Sequence, residues 1–508
     1  MLERLQADLA NLPVTKDTQY FFAEPVKARG VSIAALRKMA AAHSRDFAAL
    51  PAGQRAAVAQ GLWESGVLED GHLAILLYAR LKAAPGTAED HEAFDHVHGA
   101  DSALAPRDVA VRPPLVASSR PLPQHIFSLT PQARPLAPQC RRVAGAAAMP
   151  VIARALLTAL LAGTASAFLL WSLDLAGAWF AAHRWMVWLL PAAGWLTQWF
   201  YRQTGAGGMV EVLADIRDPR GRVNWRMAPA VLTGTILTHL CGGSAGREGT
   251  AVQAAAALAG RAGADLRVGI AAGFGSVFGT PWAGFLYAFE IAGIRTATPQ
   301  LIGPCLIGAF AGDWVAQAWG AHHTVYRISI WPEWWAVGWA AATGLLFGLA
   351  AWTYHLLTDV VKRYVPVLAG GAVVALVLYS TQAWQFAGLG VPGISAAFVE
   401  PAGPTDWLAK LSLTAITVGS GFRGGEATPL FFVGATLGNA LSGPVGMPMA
   451  WLAGLGFVAV FAAATRTPLA STVMAAELFG PQVIPFALAA CFSADCAARR
   501  GTEPRAVV

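Results

Sequence analysis

Short amphipathic segments occupy the start of the chain. In the first 85 residues, Leu2, Leu5 and Leu9, and later Leu36 and Met39, recur three or four positions apart. This spacing places apolar side chains on one face of a helix. The pattern predicts a small helical module, followed by a further apolar helix over residues 72–81.

From about residue 144 the chain is almost continuously apolar. Some stretches read as membrane spans by their apolar length, namely 149–173, 185–201, 334–352 and 370–379. Others are short and interrupted by Gly or Pro, namely 229–240, 250–260, 429–441 and 483–492. Straight spans do not require such short segments, whereas broken and re-entrant helices enclosed by protein do. The pattern therefore predicts an all-α, polytopic membrane body.

Composition supports this division and excludes several classes of protein. Only 13% of the 508 residues are charged, against about 25% in soluble domains, which argues against a multidomain soluble enzyme. Residues 1–150 hold 30 of the 66 charged residues, a density about twice that of the remaining 358. The five cysteines form neither a CxxC pair nor a metal-ligand spacing. We predict a transport protein rather than an enzyme, with no cofactor and no metal.

A change in composition separates the two parts. Residues 86–143 are rich in Pro, Ser and Arg, which is typical of an extended or disordered linker. The predicted layout is a helical module over 1–85, a linker over 86–143, a membrane domain over 144–497 and a basic tail over 498–508.

Two pairs of motifs indicate an internal repeat. GREGT at 246–250, the first elbow, and GGEAT at 424–428, the second elbow, share the form G-x-E-x-T. Downstream, TPWAGFLYAFE at 280–290 matches TPLASTVMAAE at 467–477, each with a Glu ten residues after the Thr. The shared order predicts two related halves, 150–320 and 330–497, as in transporters built from repeats.

The first elbow has the features of an anion site. Free N–H groups at a helix start bind anions without a metal or a lysine. An ionised Glu248 would compete for those groups and a protonated one would release them, so this residue could couple anion movement to proton movement. Alternatively, Glu248 only favours the helix dipole or pairs with Arg247. The cost of ionisable residues inside membranes favours the functional interpretation.

The second elbow carries an acid and a hydroxyl. The free-energy cost of placing an ionisable side chain inside a membrane also favours a functional role for Glu426. Thr428 either contributes its hydroxyl to an anion site or caps its own helix, and the sequence leaves both open.

The elbows, together with GVPGISAAF at 390–398 and TPLA, resemble the CLC chloride channels and transporters in motif and order. The resemblance covers residues 145–497, and GREGT with GGEAT resembles the fluoride-transporting branch of that family. It implies an inverted repeat, a homodimer with one pathway per subunit, and exchange of fluoride for protons with Glu248 as gating glutamate. It also implies anion-pathway roles for Met209, Arg247, Gly249, Glu426, Ala427 and Thr428.

Other functions remain open from the residues alone. An amide-rich site with a nearby hydroxyl suits fluoride, a strong hydrogen-bond acceptor, but does not exclude chloride. A chloride channel or a chloride/proton exchanger is therefore the first alternative, and an inactive fusion is another.

The N-terminal module suggests an alternative of another class. Residues 15–40 and 62–81 resemble the first part of AlkD-type DNA alkylation repair proteins, which are HEAT-like helical solenoids. After this module the chain continues into a Pro-rich stretch instead of further repeats, so we expect neither DNA repair activity nor nucleic acid binding. Basic clusters in the loop at 217–226, at 362–363 and at 499–500 favour a cytoplasmic location for these segments and for the module. We expect a bacterial cytoplasmic (inner) membrane.

Overall fold

The chain divides into two compact units, Met1–Ala133 and Arg134–Val508. The computed structural model describes residues 33–64 and 149–499, without 222, 295–297 and 325. It also describes five single residues, which are Leu2, Arg4, Leu5, Asp8 and Leu73. The predicted linker, the helix predicted over 72–81 apart from Leu73, and the tail beyond 499 lie outside the described residues.

The described part of the first unit is helical. Helix α1 spans Ile33–Ala49 and helix α2 spans Ala52–Glu64. The side chains that they bury include Leu36, Phe47 and Leu62. Helix α1 contains Leu36 and Met39, whose spacing predicted a helix here.

The described part of the second unit contains sixteen α-helices and no strand. The first eight are α3 Val151–Ala182, α4 Leu190–Thr204, α5 Met209–Arg217, α6 Met227–Leu240, α7 Glu248–Arg261, α8 Leu266–Phe278, α9 Pro281–Glu290 and α10 Pro299–Ala318. The next eight are α11 Val337–Tyr364, α12 Val367–Thr381, α13 Val391–Ala396, α14 Asp406–Gly419, α15 Ala427–Val445, α16 Met449–Thr465, α17 Pro468–Phe479 and α18 Ile484–Arg499.

Helix lengths vary in the way expected of a body with broken helices. In the described part of the chain, four helical segments have the length and composition to cross a membrane, namely Val151–Ala182, Pro299–Ala318, Trp334–Tyr364 and Pro481–Arg499. The stretch 185–201 is not among them: it begins in the 3-10 turn Arg184–Leu189, which leads directly into α4, and it includes the polar residues Thr197 and Gln198. The stretch 370–379, also predicted to be a span, lies in α12, whose 15 residues place it among the shorter apolar helices. The stretch 483–492 was predicted to be a short segment, but it belongs to one of the four spanning segments, since a 3-10 turn leads directly into α18.

The two groups of eight helices pack in equivalent pairs. Helix α3 packs on α10 as α11 packs on α18, and α7 packs on α8 as α15 packs on α16. The central helices are apolar on every side, and α16 is buried from Trp451 to Thr465, as expected of a helix enclosed by others. Two related halves therefore place both elbows near the centre of the body.

The repeated Thr-Pro-to-Glu motifs form a reciprocal contact between the halves. The carboxylate of Glu290, at the end of α9, accepts hydrogen bonds from the first-turn N–H groups of Leu469 and Ala470 in α17. Glu477 of α17 does the same for Trp282 and Ala283 in α9. Each carboxylate thus satisfies N–H groups that the partner helix cannot pair internally, and it also favours that helix dipole.

Candidate functional site

The two elbows meet through backbone hydrogen bonds. The Gly246 N–H donates to the Gly425 carbonyl at 2.5 Å, and the Gly425 N–H donates back to Gly246 at 2.7 Å. A Cβ atom on Gly425 would lie 2.7 Å from the Gly249 nitrogen, so glycine is required for this approach. The contact brings the starts of α7 and α15, one from each half, to the same place.

Glu248 bridges the two halves at this contact. It is the first residue of α7 and 2% exposed. Its Oε2 accepts the Thr428 N–H at 3.0 Å, and its Oε1 accepts the Thr428 hydroxyl in a short hydrogen bond. The Arg247 N–H donates to Oε2 at 3.1 Å, and the Arg247 Nε lies 3.5 Å from Oε1. The carboxylate therefore occupies the position at the α15 start that suits a small anion.

A small cavity lies beside Glu248 and also contacts Glu426. It is lined by Glu248, Gly249, Val252, Phe274, Tyr287, Glu426, Ala427, Leu430, Phe461 and Thr465. Glu426 directly precedes α15, and its Oε2 is buried without a hydrogen-bond partner. The cavity thus has an acid from each elbow and mostly apolar side chains around them.

Aromatic rings form much of the apolar wall. Phe274 stacks on Tyr287 with ring centres 4.3 Å apart, and Phe461 lies 6.1 Å from Tyr287. Behind the wall, Phe431 stacks on Phe457 at 4.0 Å. Rigid rings of this kind exclude bulk water, which strengthens the interactions of any charge in the cavity.

The structure brings most of the predicted site residues together. Arg247 and Thr428 donate to Glu248, while Gly249, Glu426 and Ala427 line the cavity. Thr428 does not cap its own helix, because α15 begins at Ala427 and the Thr428 hydroxyl is directed to Glu248.

Met209, another of the predicted site residues, lies away from the cavity lining. It is the first residue of α5, is 1% exposed, and is not part of the cavity lining. Its pathway role remains a prediction.

Sequence reasoning missed several residues around the cavity. Tyr287 and Thr465 line it, and Tyr354 of α11 is a close neighbour of Glu426. Hydroxyl-bearing side chains within apolar segments were the available signal. In particular, Tyr354 and Thr358 are one helical turn apart in α11.

Comparison with known proteins defines the class. The family model described as voltage gated chloride channel matches residues 186–499, and the chain belongs to this CLC family. A chloride/fluoride channel protein of Pseudomonas syringae pv. tomato is 43% identical over 380 residues, which cover 68% of this chain and 84% of the relative.

Solved structures and the N-terminal region add further similarities. The crystal structure of a CLC-type fluoride/proton antiporter superposes with a TM-score of 0.65 at 30% identity, covering 69% of this chain and 95% of that one. A slow cyanobacterial Cl⁻/H⁺ antiporter, at 19% identity and a TM-score of 0.60, shares the fold, again covering 69% of this chain and 95% of that one. The family model described as DNA alkylation repair enzyme matches residues 2–102.

Proposed function

We propose that the protein exchanges fluoride for protons across the membrane, with Glu248 as the gating acid. The observation that carries this proposal is the Glu248 carboxylate itself, which accepts hydrogen bonds from the N–H and hydroxyl of Thr428. An anion entering the start of α15 must displace the carboxylate from those donors. We assign the pathway to the side chain or backbone of Arg247, Gly249, Glu426, Ala427, Thr428 and, by resemblance alone, Met209.

Competition for the same donors supplies the coupling. While Glu248 is ionised, it holds the site and repels an anion. Once protonated, it loses both the charge and most of its acceptor strength, so the donors are free for the anion. A proton must therefore bind Glu248 before the anion can take its place, and must leave before the carboxylate can return. Anion and proton movement become linked without a metal or a cofactor.

Fluoride is the anion that the donors suit best. The donors are N–H groups and one hydroxyl, and charge-assisted hydrogen bonds of this kind are strongest with a small, strong acceptor. The names of a 43% identical chloride/fluoride channel protein and of a 30% identical fluoride/proton antiporter support this choice. A chloride channel or a chloride/proton exchanger is the alternative within the family.

Ion flux from proteoliposomes tests the choice of anion. With equal outward gradients, we expect fluoride to leave faster than chloride, by about tenfold, the ratio given by a 1.4 kcal/mol difference between the anions. Fluoride and chloride electrodes measure the two rates, and protein-free liposomes report the leak. Chloride leaving at an equal or higher rate would favour the alternative.

We also propose that two copies associate, in a bacterial cytoplasmic membrane with the N-terminal module on the cytoplasmic side. Helices α9, α10, α17 and α18 expose apolar side chains, including Trp282, Phe310 and Leu469. Glu290 and Glu477 lie half-buried in two of these helices. Because a carboxylate facing lipid is costly, a second copy would be the better neighbour.

The mass of the purified protein tests the association. Light scattering in detergent should give a particle of two chains, and Trp282→Glu should separate them by placing two charges in the contact. Trp171→Glu, at an exposed position of α3, is the control and should leave the pair intact. Single chains in the unaltered protein would contradict the proposal.

A further inference from the structure

Three neighbouring polar atoms near the cavity make no well-aligned hydrogen bond. They are Oε2 of Glu426, the hydroxyl of Tyr354 and the hydroxyl of Thr358, all buried in the described part of the chain. The Glu426 carboxyl and the Thr358 hydroxyl are both close neighbours of the Tyr354 hydroxyl. Buried polar groups are normally paired in good geometry, so three that are close together but poorly aligned require an explanation.

The same atoms lie on a row that leads out of the protein. Tyr354, Thr358 and Lys362 follow one another at intervals of four along α11, which places them on one helix face. Tyr354 is fully buried, Thr358 is half-buried and Lys362 is exposed. The row therefore runs from Glu426, at the cavity, towards the C-terminal end of α11.

Hydroxyl groups are suited to passing a proton along such a row. Each is both a donor and an acceptor and can rotate between its neighbours. A hydroxyl that receives a proton from one side while giving its own to the other returns to the same neutral state. No charge is left on Tyr354 or Thr358, and no oxidant or reductant is required.

We propose that Glu426, Tyr354 and Thr358 form the proton route between the cavity and the C-terminal end of α11. The inference rests on the proposed antiport function. A proton released by Glu248 crosses the cavity and binds the Glu426 carboxylate. Glu426 passes it to the Tyr354 hydroxyl as the Tyr354 proton moves to Thr358, and the Thr358 proton leaves to water; the reverse order brings a proton in. The hydroxyls of Tyr354 and Thr358 are not part of the proposed anion pathway, so the two ions separate beyond Glu426.

Removal of single hydroxyl groups tests the route. Tyr354→Phe and Thr358→Val keep the shape of the side chains, and each should lower fluoride-driven proton flux in proteoliposomes by about a hundredfold, the lower end for loss of a positioned proton-transfer group. Fluoride binding, measured by calorimetry, should be unchanged, which shows that the variants are folded. Thr358→Ser restores the hydroxyl and should restore the flux.

Two control variants remove comparable hydroxyls away from the row. Tyr201→Phe alters another buried tyrosine with an unpaired hydroxyl, and Thr353→Val lies on α11 but bonds only to the Leu349 carbonyl. Both should keep the unaltered flux. The proposed route would be wrong if Tyr354→Phe kept the proton flux of the unaltered protein, or if Thr358→Ser lost as much proton flux as Thr358→Val. Neither result would contradict the antiport proposal. Fluoride movement without protons in the unaltered protein would overturn both proposals.

Discussion

Replacing Glu248 with Gln should nearly abolish proton transport while fluoride still crosses. Glutamine matches the size of the acid and its carbonyl can still accept the Thr428 N–H, so the contact between the elbows should persist. The amide, however, can neither bind nor release a proton at neutral pH and carries no charge to oppose an anion. We expect proton flux to fall by about a hundredfold or more, and fluoride to bind more tightly because its competitor is neutral.

A fluoride gradient across proteoliposomes, with a pH electrode and a fluoride electrode in the same chamber, measures both ions. Glu333→Gln makes the same change at an exposed position before a 3-10 turn and should transport like the unaltered protein. Proton flux that is undiminished while Glu248→Gln still moves fluoride would remove Glu248 from the gating role. Loss of both fluxes with normal fluoride binding would instead show that the carboxylate is needed to expel the anion.

The membrane body and the two elbows could be predicted because charge is rare there. Glu248 and Glu426 are conspicuous in an apolar sequence, and the cost of such residues in membranes already marked them as candidates. The family's fold followed from the same motifs and their order. These predictions needed only local sequence and the spacing of two short strings.

Contacts between the two halves could not be predicted from the sequence in the same way. The hydrogen bonds between Glu248 and Thr428 join residues 180 positions apart, and no local pattern specifies which N–H groups a carboxylate will reach. The Thr-Pro motifs were recognised as a repeat, but their glutamates turned out to cap each other's helices, with Glu290 on α17 and Glu477 on α9. Pairing of this kind depends on the symmetry of the assembled body.

Membrane spans were misjudged where polar residues interrupt an apolar pattern. The stretch 185–201 was interpreted as a span, yet it includes Thr197 and Gln198 and is not among the segments with the length and composition to cross a membrane. Tyr354 was overlooked for another reason, because a tyrosine that follows an apolar helical stretch is compatible with simple packing. Its proximity to Glu426 appears only when α11 is packed against the second elbow.

Adding one methyl group at the contact between the elbows, by Gly425→Ala, should stop fluoride transport. The new Cβ would lie 2.7 Å from the Gly249 nitrogen and 3.0 Å from the Glu248 nitrogen. These are backbone atoms of the first turn of α7, so relief requires the starts of α7 and α15 to move apart. Because a displacement of about 1 Å in a positioned site can cost about a hundredfold in rate, we expect at least that loss in fluoride efflux.

Gly443→Ala provides the matched control for this change. Gly443 lies in the same helix, α15, and a Cβ there has no atom within 4 Å. Because Gly443 precedes Pro444 in the last turn of α15, we expect no gain in stability from alanine there. The efflux rate should be unchanged. Because the substitution alters only one contact between helix starts, we expect Gly425→Ala to fold. A thermal unfolding transition and a monodisperse gel-filtration peak check this. A folded Gly425→Ala protein that releases fluoride at the unaltered rate would mean that the anion does not pass between the elbows, because the N–H groups on both sides would then have been displaced without effect.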